Sequence, residues 1–155
     1  MGTLISVIMS TYNESEDYIR SSVSSILRQT LHDLELIIVI DNPENEAAVT
    51  AVNAFASEDS RVKILCNENN LGLVRSLNKA ISAAHGEILA RMDADDISLP
   101  QRLEKQLAFL RYLPSGSRFG NARPITKRIL FSLLFLYCPR LIVTLTVAQV
   151  VCTRP

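Results

Sequence analysis

Apolar runs and helical stripes alternate along the first 112 residues. LISVIMS (Leu4–Ser10) is a short, nearly continuous apolar run, the pattern of a strand covered on both faces. A stripe of Ile19, Val23, Ile26 and Leu27 then predicts a helix over roughly 14–29, with acids in its first turn and Asn13 or Ser15 as its cap. LELIIVID (Leu34–Asp41) reads as a second buried strand. Asn42 and Pro43 read as the cap and first position of a second helix, whose buried face holds Val49, Val52 and Ala56. RVKIL (Arg61–Leu65) is a third, shorter strand. After the loop NENNLG comes a helix with Val74, Leu77, Ile81 and Ala84 on one face, ended by Gly86. EILARM (Glu87–Met92) is a fourth strand. SLPQRLEKQLAFL sets Leu103, Leu107 and Leu110 at helical spacing, with Ser98 and Gln101 resembling a capping box.

Strands separated by helices of this length imply right-handed crossovers. The expected fold is therefore α/β, a Rossmann-like, doubly wound and mostly parallel sheet. Sheets of this kind bind ligands at the carboxyl ends of their strands. Those ends are Ser10-Thr11-Tyr12-Asn13, Asp41-Asn42, Cys66-Asn67 and Asp93-Ala94-Asp95-Asp96.

Charge adds a boundary that the apolar pattern leaves undrawn. The 155 residues carry 16 acids and 16 bases, but every Asp and Glu lies at or before Glu104. Residues 112–155 hold no acid and six bases, which gives that segment +6 against −6 for residues 1–111. The expected organisation is a domain over 1–111 and an atypical basic, apolar tail over 112–155, foreign to the preceding fold, which leaves the fold incomplete. The tail's apolar stretch is interrupted by Pro139-Arg140, whereas a membrane-spanning helix needs about 20 mostly apolar residues. The three cysteines show no metal-ligand spacing and read as reduced thiols of a cytosolic setting. No nucleic-acid partner is expected.

The densest chemistry lies in ARMDADDISLP. Asp93 and Asp95 are one residue apart at a strand end, so extended backbone would point both carboxylates the same way. Two carboxylates that close are costly unless a divalent cation accompanies them, and Mg²⁺ or Mn²⁺ suits such oxygen ligands together with phosphate. The simpler alternative is that Asp95 and Asp96 only favour the start of the next helix. A calcium loop is excluded, because Ile97 and Ser98 stand where a fifth-position ligand and a glycine are needed. A phosphatase-type aspartate nucleophile stays as a rival. Thr11 and Tyr12 offer a hydroxyl and an aromatic face suited to a nucleotide base and ribose, and Asp41 a carboxylate for a base N–H or sugar hydroxyl. Neither a glycine-rich dinucleotide fingerprint nor a Walker-type loop is present.

STYNE, LELIIVIDN, NNLGLVRSLNKAI and ARMDADDISLPQRLEKQ follow in order and register. Together they resemble the nucleotide-sugar-binding half of the family 2 glycosyltransferases, of the GT-A fold, over about residues 4–111. The resemblance implies that Thr11, Tyr12 and Asp41 hold the nucleotide base and that Asp93 lies near ribose and metal. It further implies that Asp95 coordinates Mn²⁺ or Mg²⁺ on the diphosphate and that Arg75 and Arg91 support the anionic donor. The expected donor is a nucleotide-diphosphate sugar, in the first place a UDP-sugar, and the acceptor a glycan or lipid-linked glycan. The expected setting is cytoplasmic, at the inner membrane face. In the family the catalytic base lies well past the Asp-x-Asp loop, where this chain has no acid; His32 and His85 do not replace it, and no catalytic residue is assigned. The alternative to a transferase is accordingly a truncated, inactive module that binds nucleotide diphosphate.

Overall fold

The computed structural model describes residues 3–112 and 128–130, with side chains through residue 108. Its elements are β1 (Ile5–Thr11), α1 (Glu16–Leu27), β2 (Leu34–Ile40), α2 (Glu46–Glu58), β3 (Val62–Cys66), α3 (Leu73–Ala83), β4 (Ile88–Arg91), α4 (Arg102–Tyr112) and β5 (Arg128–Leu130). All the strand pairs are parallel, in the order β3-β2-β1-β4-β5. The chain therefore winds outward from β1 in one direction and returns to lay β4 on its other side. That reversal leaves a crevice between the carboxyl ends of β1 and β4.

Alternation within the buried strands assigns their two faces. Ile5, Val7 and Met9, with Leu36, Ile38 and Ile40, pack under α1, α2 and α4. Ile8, Ile37, Val39 and Leu89 face the other way, against Leu77 and Ala80 of α3. Both faces are covered, so the strands read as continuous apolar runs rather than alternating ones. Each large aliphatic side chain so buried contributes roughly 1.5–3 kcal/mol.

Ser15 caps α1, its hydroxyl accepting from Tyr18 N. The other expected ends are corrected. Helix α2 is capped by Asn45 rather than Asn42; Asn42 instead accepts from Glu44 N in the preceding turn. Helix α3 stops at Ala83 with Ala84 as its cap, so Gly86 does not end it. Gly86 is fixed by close approach: a Cβ there would stand 2.6 Å from Ser6 N and 2.8 Å from Ile5 C. Gly86→Ala should lower stability by about 2 kcal/mol through overpacking, read as a lower urea midpoint with unchanged slope. Val74, expected in the core, is 54% exposed, because the first turn of α3 stands at the sheet's ligand edge. Ser98 does not cap α4. The donor at Leu103 N is answered by Gln29 Oε1, at 3.0 Å, from the end of α1.

The expected boundary at residue 111 falls at the end of α4. The readings made for the tail lie outside the described residues, apart from β5, whose backbone pairs with β4 in the register Ile88↔Arg128 to Ala90↔Leu130. Among the described residues no helix is long and apolar enough to cross a membrane.

Candidate functional site

Parallel register brings the first three strand ends side by side. Asp41 N donates to Thr11 O at 2.8 Å and Asn67 N to Ile40 O at 2.9 Å, so Thr11, Asp41 and Asn67 follow one another across the sheet. On the other side of β1, Met92 N donates to Ile8 O at 3.0 Å, which directs Asp93 towards the same edge.

Tyr12 has a fixed backbone. Its N–H donates to Glu14 Oε2 at 2.6 Å, and its carbonyl accepts from Asn45 Nδ2 at 3.2 Å. Tyr12 as a residue is 43% exposed, just past the end of β1. Thr11 is buried and its hydroxyl donates to the same Glu14 oxygen at 2.8 Å. Glu14 and Asn45 thus shape this corner, and sequence reading did not single them out for it.

Asp41 is buried and committed within the protein. Oδ1 accepts from Asn67 Nδ2 at 2.7 Å and Leu71 N at 2.8 Å, and Oδ2 accepts from Gly72 N at 2.9 Å. Burial pushes this carboxyl up, but donors from Asn67, Leu71, Ser76 and Gly72 outweigh it and hold it below the usual range. Asp41 is therefore an ionised anchor for the loop between β3 and α3. These three bonds leave acceptor capacity on Oδ2, which among them takes only the Gly72 N–H. Gly72, at φ +81°, takes a backbone conformation that favours glycine as the chain passes from this loop into α3. Beyond this loop a surface cavity of about 280 Å³ is lined by Cys66, Asn67, Glu68, Asn69, Leu71 and Lys79.

The acidic loop divides by exposure. Asp93 is half-buried at the end of β4, and its Oδ1 accepts from Arg91 Nη2 at 2.7 Å and Nε at 3.0 Å. Asp95 and Asp96 are exposed, and among the described residues neither carboxylate takes a hydrogen bond. Arg91 is thus paired with the site's own aspartate. Arg75 is exposed on the first turn of α3, and no contact among the described residues joins it to Asp93 or Asp95. Arg102 opens α4, its Nε and Nη2 buried and without a partner among the described residues and its Nη1 against Met92 Sδ at 3.4 Å. Burial pulls its pKa down, while Asp96 and Asp93 act to raise it.

Among the described residues no group of three or more His, Cys, Asp or Glu is arranged so that it could hold a metal ion. A closed protein cage for a metal is therefore absent there. Mg²⁺ and related ions are commonly held by one or two carboxylates plus substrate phosphates and water. The second oxygen of Asp93 and the exposed carboxylate of Asp95 fit that mode.

The sequence matches the family described as Glycosyl transferase family 2 over residues 6–128. An uncharacterized glycosyltransferase of Methanocaldococcus jannaschii is 47% identical over 107 residues, 69% of this chain and 37% of that protein. The Escherichia coli UDP-Glc:alpha-D-GlcNAc-diphosphoundecaprenol beta-1,3-glucosyltransferase WfgD is 34% identical over 118 residues, 76% of this chain and 45% of that protein. Among solved structures, S. aureus TarS 1-349 in complex with UDP is 28% identical with TM-score 0.61, over 70% of this chain and 32% of that one. The mannosyltransferase PcManGT from Pyrobaculum calidifontis, in complex with GDP-Man and Mn²⁺, is 26% identical with TM-score 0.61, over 73% and 33%. The chain thus spans less than half the length of these relatives.

Proposed function

The chain belongs to glycosyl transferase family 2, and we propose that it binds the nucleotide-diphosphate donor of a sugar transfer at the carboxyl edge of its sheet. The reading rests on one juxtaposition. The exposed Tyr12, just past the end of β1, shares the crevice at the strand-order reversal with the Asp93–Asp96 loop, at the end of β4. Tyr12 would stack on the base, and Asp41 would act through the 67–72 loop that it holds. Asp93 and Asp95 would hold Mn²⁺ or Mg²⁺ against the diphosphate, with Arg75 as a further cation towards the donor. A divalent ion at that point supplies Lewis-acid neutralisation of the leaving group. Solved relatives carrying UDP, or GDP-Man with Mn²⁺, support this class of ligand. The acceptor we assign is a glycan or lipid-linked glycan, as in the WfgD reaction name, met at the cytoplasmic membrane face.

A second reading, donor binding without transfer, is favoured by the distribution of acids. An inverting transfer needs a base for the acceptor hydroxyl. The last acid in the chain is Glu104, whose Oε2 accepts from Thr30 Oγ1 at 2.8 Å. Calorimetric titration of the full chain with UDP, with and without Mn²⁺, tests the shared part of both readings. Metal-dependent binding is expected. No binding of UDP or GDP with metal present, together with phosphate release from p-nitrophenyl phosphate, would instead favour the phosphohydrolase rival. Assay with UDP-sugars and a lipid-linked acceptor then separates transfer from binding alone. Tyr12→Ala should weaken UDP binding about tenfold, because stacking of a base on an aromatic ring is worth roughly 1–3 kcal/mol. Equal affinity of the variant and the parent would remove Tyr12 from the site.

A further inference from the structure

The loop that carries Asp93 and Asp95 is laid along α1, and its contacts follow the helix in order. Ser22 Oγ donates to Asp93 O at 2.9 Å. Ser25 Oγ accepts from Ser98 N at 2.9 Å. Gln29 Nε2 donates to Ser98 Oγ at 3.0 Å and to Leu99 O at 2.8 Å. Thr30 N donates to Pro100 O at 2.9 Å just beyond the helix. Ser22 and Ser25 lie on the last turns of α1 and Gln29 just past its cap, so the anchors follow one another along the end of the helix. Between the anchors at Asp93 and Ser98, the exposed residues are Asp95, Asp96 and Ile97. The ends of the loop are pinned and its acidic tip is left to solvent.

Packing alone does not call for these side chains. Ser22 and Gln29 are fully or almost fully buried in the apolar stripe of Ile19, Val23 and Ile26, which already packs α1 onto the core with Leu103 and Leu107. Polar groups at such positions are costly unless bonded, and apolar residues of similar size would serve packing as well. What the polar side chains add is direction: they take partners from the loop backbone and from Ser98, while Gln29 Oε1 also answers Leu103 N at the start of α4.

We infer that Ser22, Ser25 and Gln29 are positioning residues for the metal-diphosphate subsite. They hold the loop so that Asp93 and Asp95 meet a cation without first having to be ordered. The inference rests on the donor-site reading above and extends it to residues that touch neither metal nor nucleotide.

Full-length chains carrying Gln29→Met or Ser22→Ala test it. The affinity for Mn²⁺ in the presence of UDP is read from the electron paramagnetic resonance signal of free Mn²⁺, and the affinity for uridine, which lacks phosphate, from calorimetry. Gln29→Met should weaken Mn²⁺ binding about tenfold, in the range found for residues that orient metal ligands. Ser22→Ala, which loses one hydrogen bond, should weaken it about threefold. Uridine affinity should be unchanged in both. If Gln29→Met does not fold, the same split in Ser22→Ala decides the matter. Folded variants with lower melting temperatures but parental Mn²⁺ affinity would overturn the inference, as would equal losses for Mn²⁺ and uridine. A parent chain that binds uridine but no Mn²⁺ with UDP would overturn the donor-site reading itself.

Discussion

Replacing Glu35 by alanine is expected to lower stability by about 3 kcal/mol at pH 7, read from urea unfolding. Glu35 lies at the amino end of β2, almost fully buried in an otherwise apolar strand. Its Oε1 accepts from Ser6 Oγ at 2.6 Å and His85 N at 2.6 Å, and Oε2 pairs with Lys63 Nζ at 2.7 Å. Removal takes away the acceptor of the Ser6 hydroxyl and of His85 N, in a corner packed so closely that a Cβ on Gly86 would stand 2.6 Å from Ser6 N. Burial works against the ionised carboxylate, but the bonds from Lys63, Ser6 and His85 win and lower its pKa from 4.5 to about 2. Because the folded value is the lower one, the stabilisation is complete above 4.5 and is lost as pH falls from 4.5 towards 2. The half-exposed Lys63 moderates the figure through solvent screening. Glu35→Gln should therefore be less stable than the parent at pH 7, and the gap should close on acidification through that window. A gap that stays constant with pH would mean that the charge contributes nothing.

The residues legible in the sequence are those whose role follows from period alone. LELIIVI announces a strand covered on both faces, and both faces are covered. The four parallel strands read in the sequence are present, and their carboxyl ends are where such a topology directs the search for a site. What escaped reading depends on partners distant in the chain. Gln29 caps α4 from 74 positions away, so Ser98 and Gln101 form a plausible local cap that the fold does not use. Asn45 rather than Asn42 starts α2, and Asn45 also reaches back to the carbonyls of Tyr12 and Glu14. The bonds from Leu71 N and Gly72 N to Asp41 depend on a loop conformation that periodicity does not encode. Ser22 and Glu35 did carry a local signal, each being a polar residue inside an apolar pattern. Such residues announce a buried network, and the fold supplies its members.

Asp95→Asn should weaken Mn²⁺-dependent binding of UDP by about a hundredfold, or close to 3 kcal/mol, because substitutions that merely orient metal ligands already cost 10–100-fold. The change keeps the side chain's size and removes its charge. Asp95 is exposed and takes no hydrogen bond among the described residues, so the folded chain has nothing to lose there. Melting temperature should accordingly stay at the parental value. This separation of effects is the useful one. Asp93 cannot provide it, because Asp93→Asn also breaks the pair with Arg91 at 2.7 Å. Asp96→Asn serves as the internal control: it removes an equal charge one residue away and should change UDP affinity far less if metal binding is assigned correctly to Asp93 and Asp95. Equal effects at 95 and 96 would mean that the loop attracts the cation only through its summed charge. No effect at Asp95, with UDP binding still dependent on Mn²⁺, would move the ligand role away from this residue.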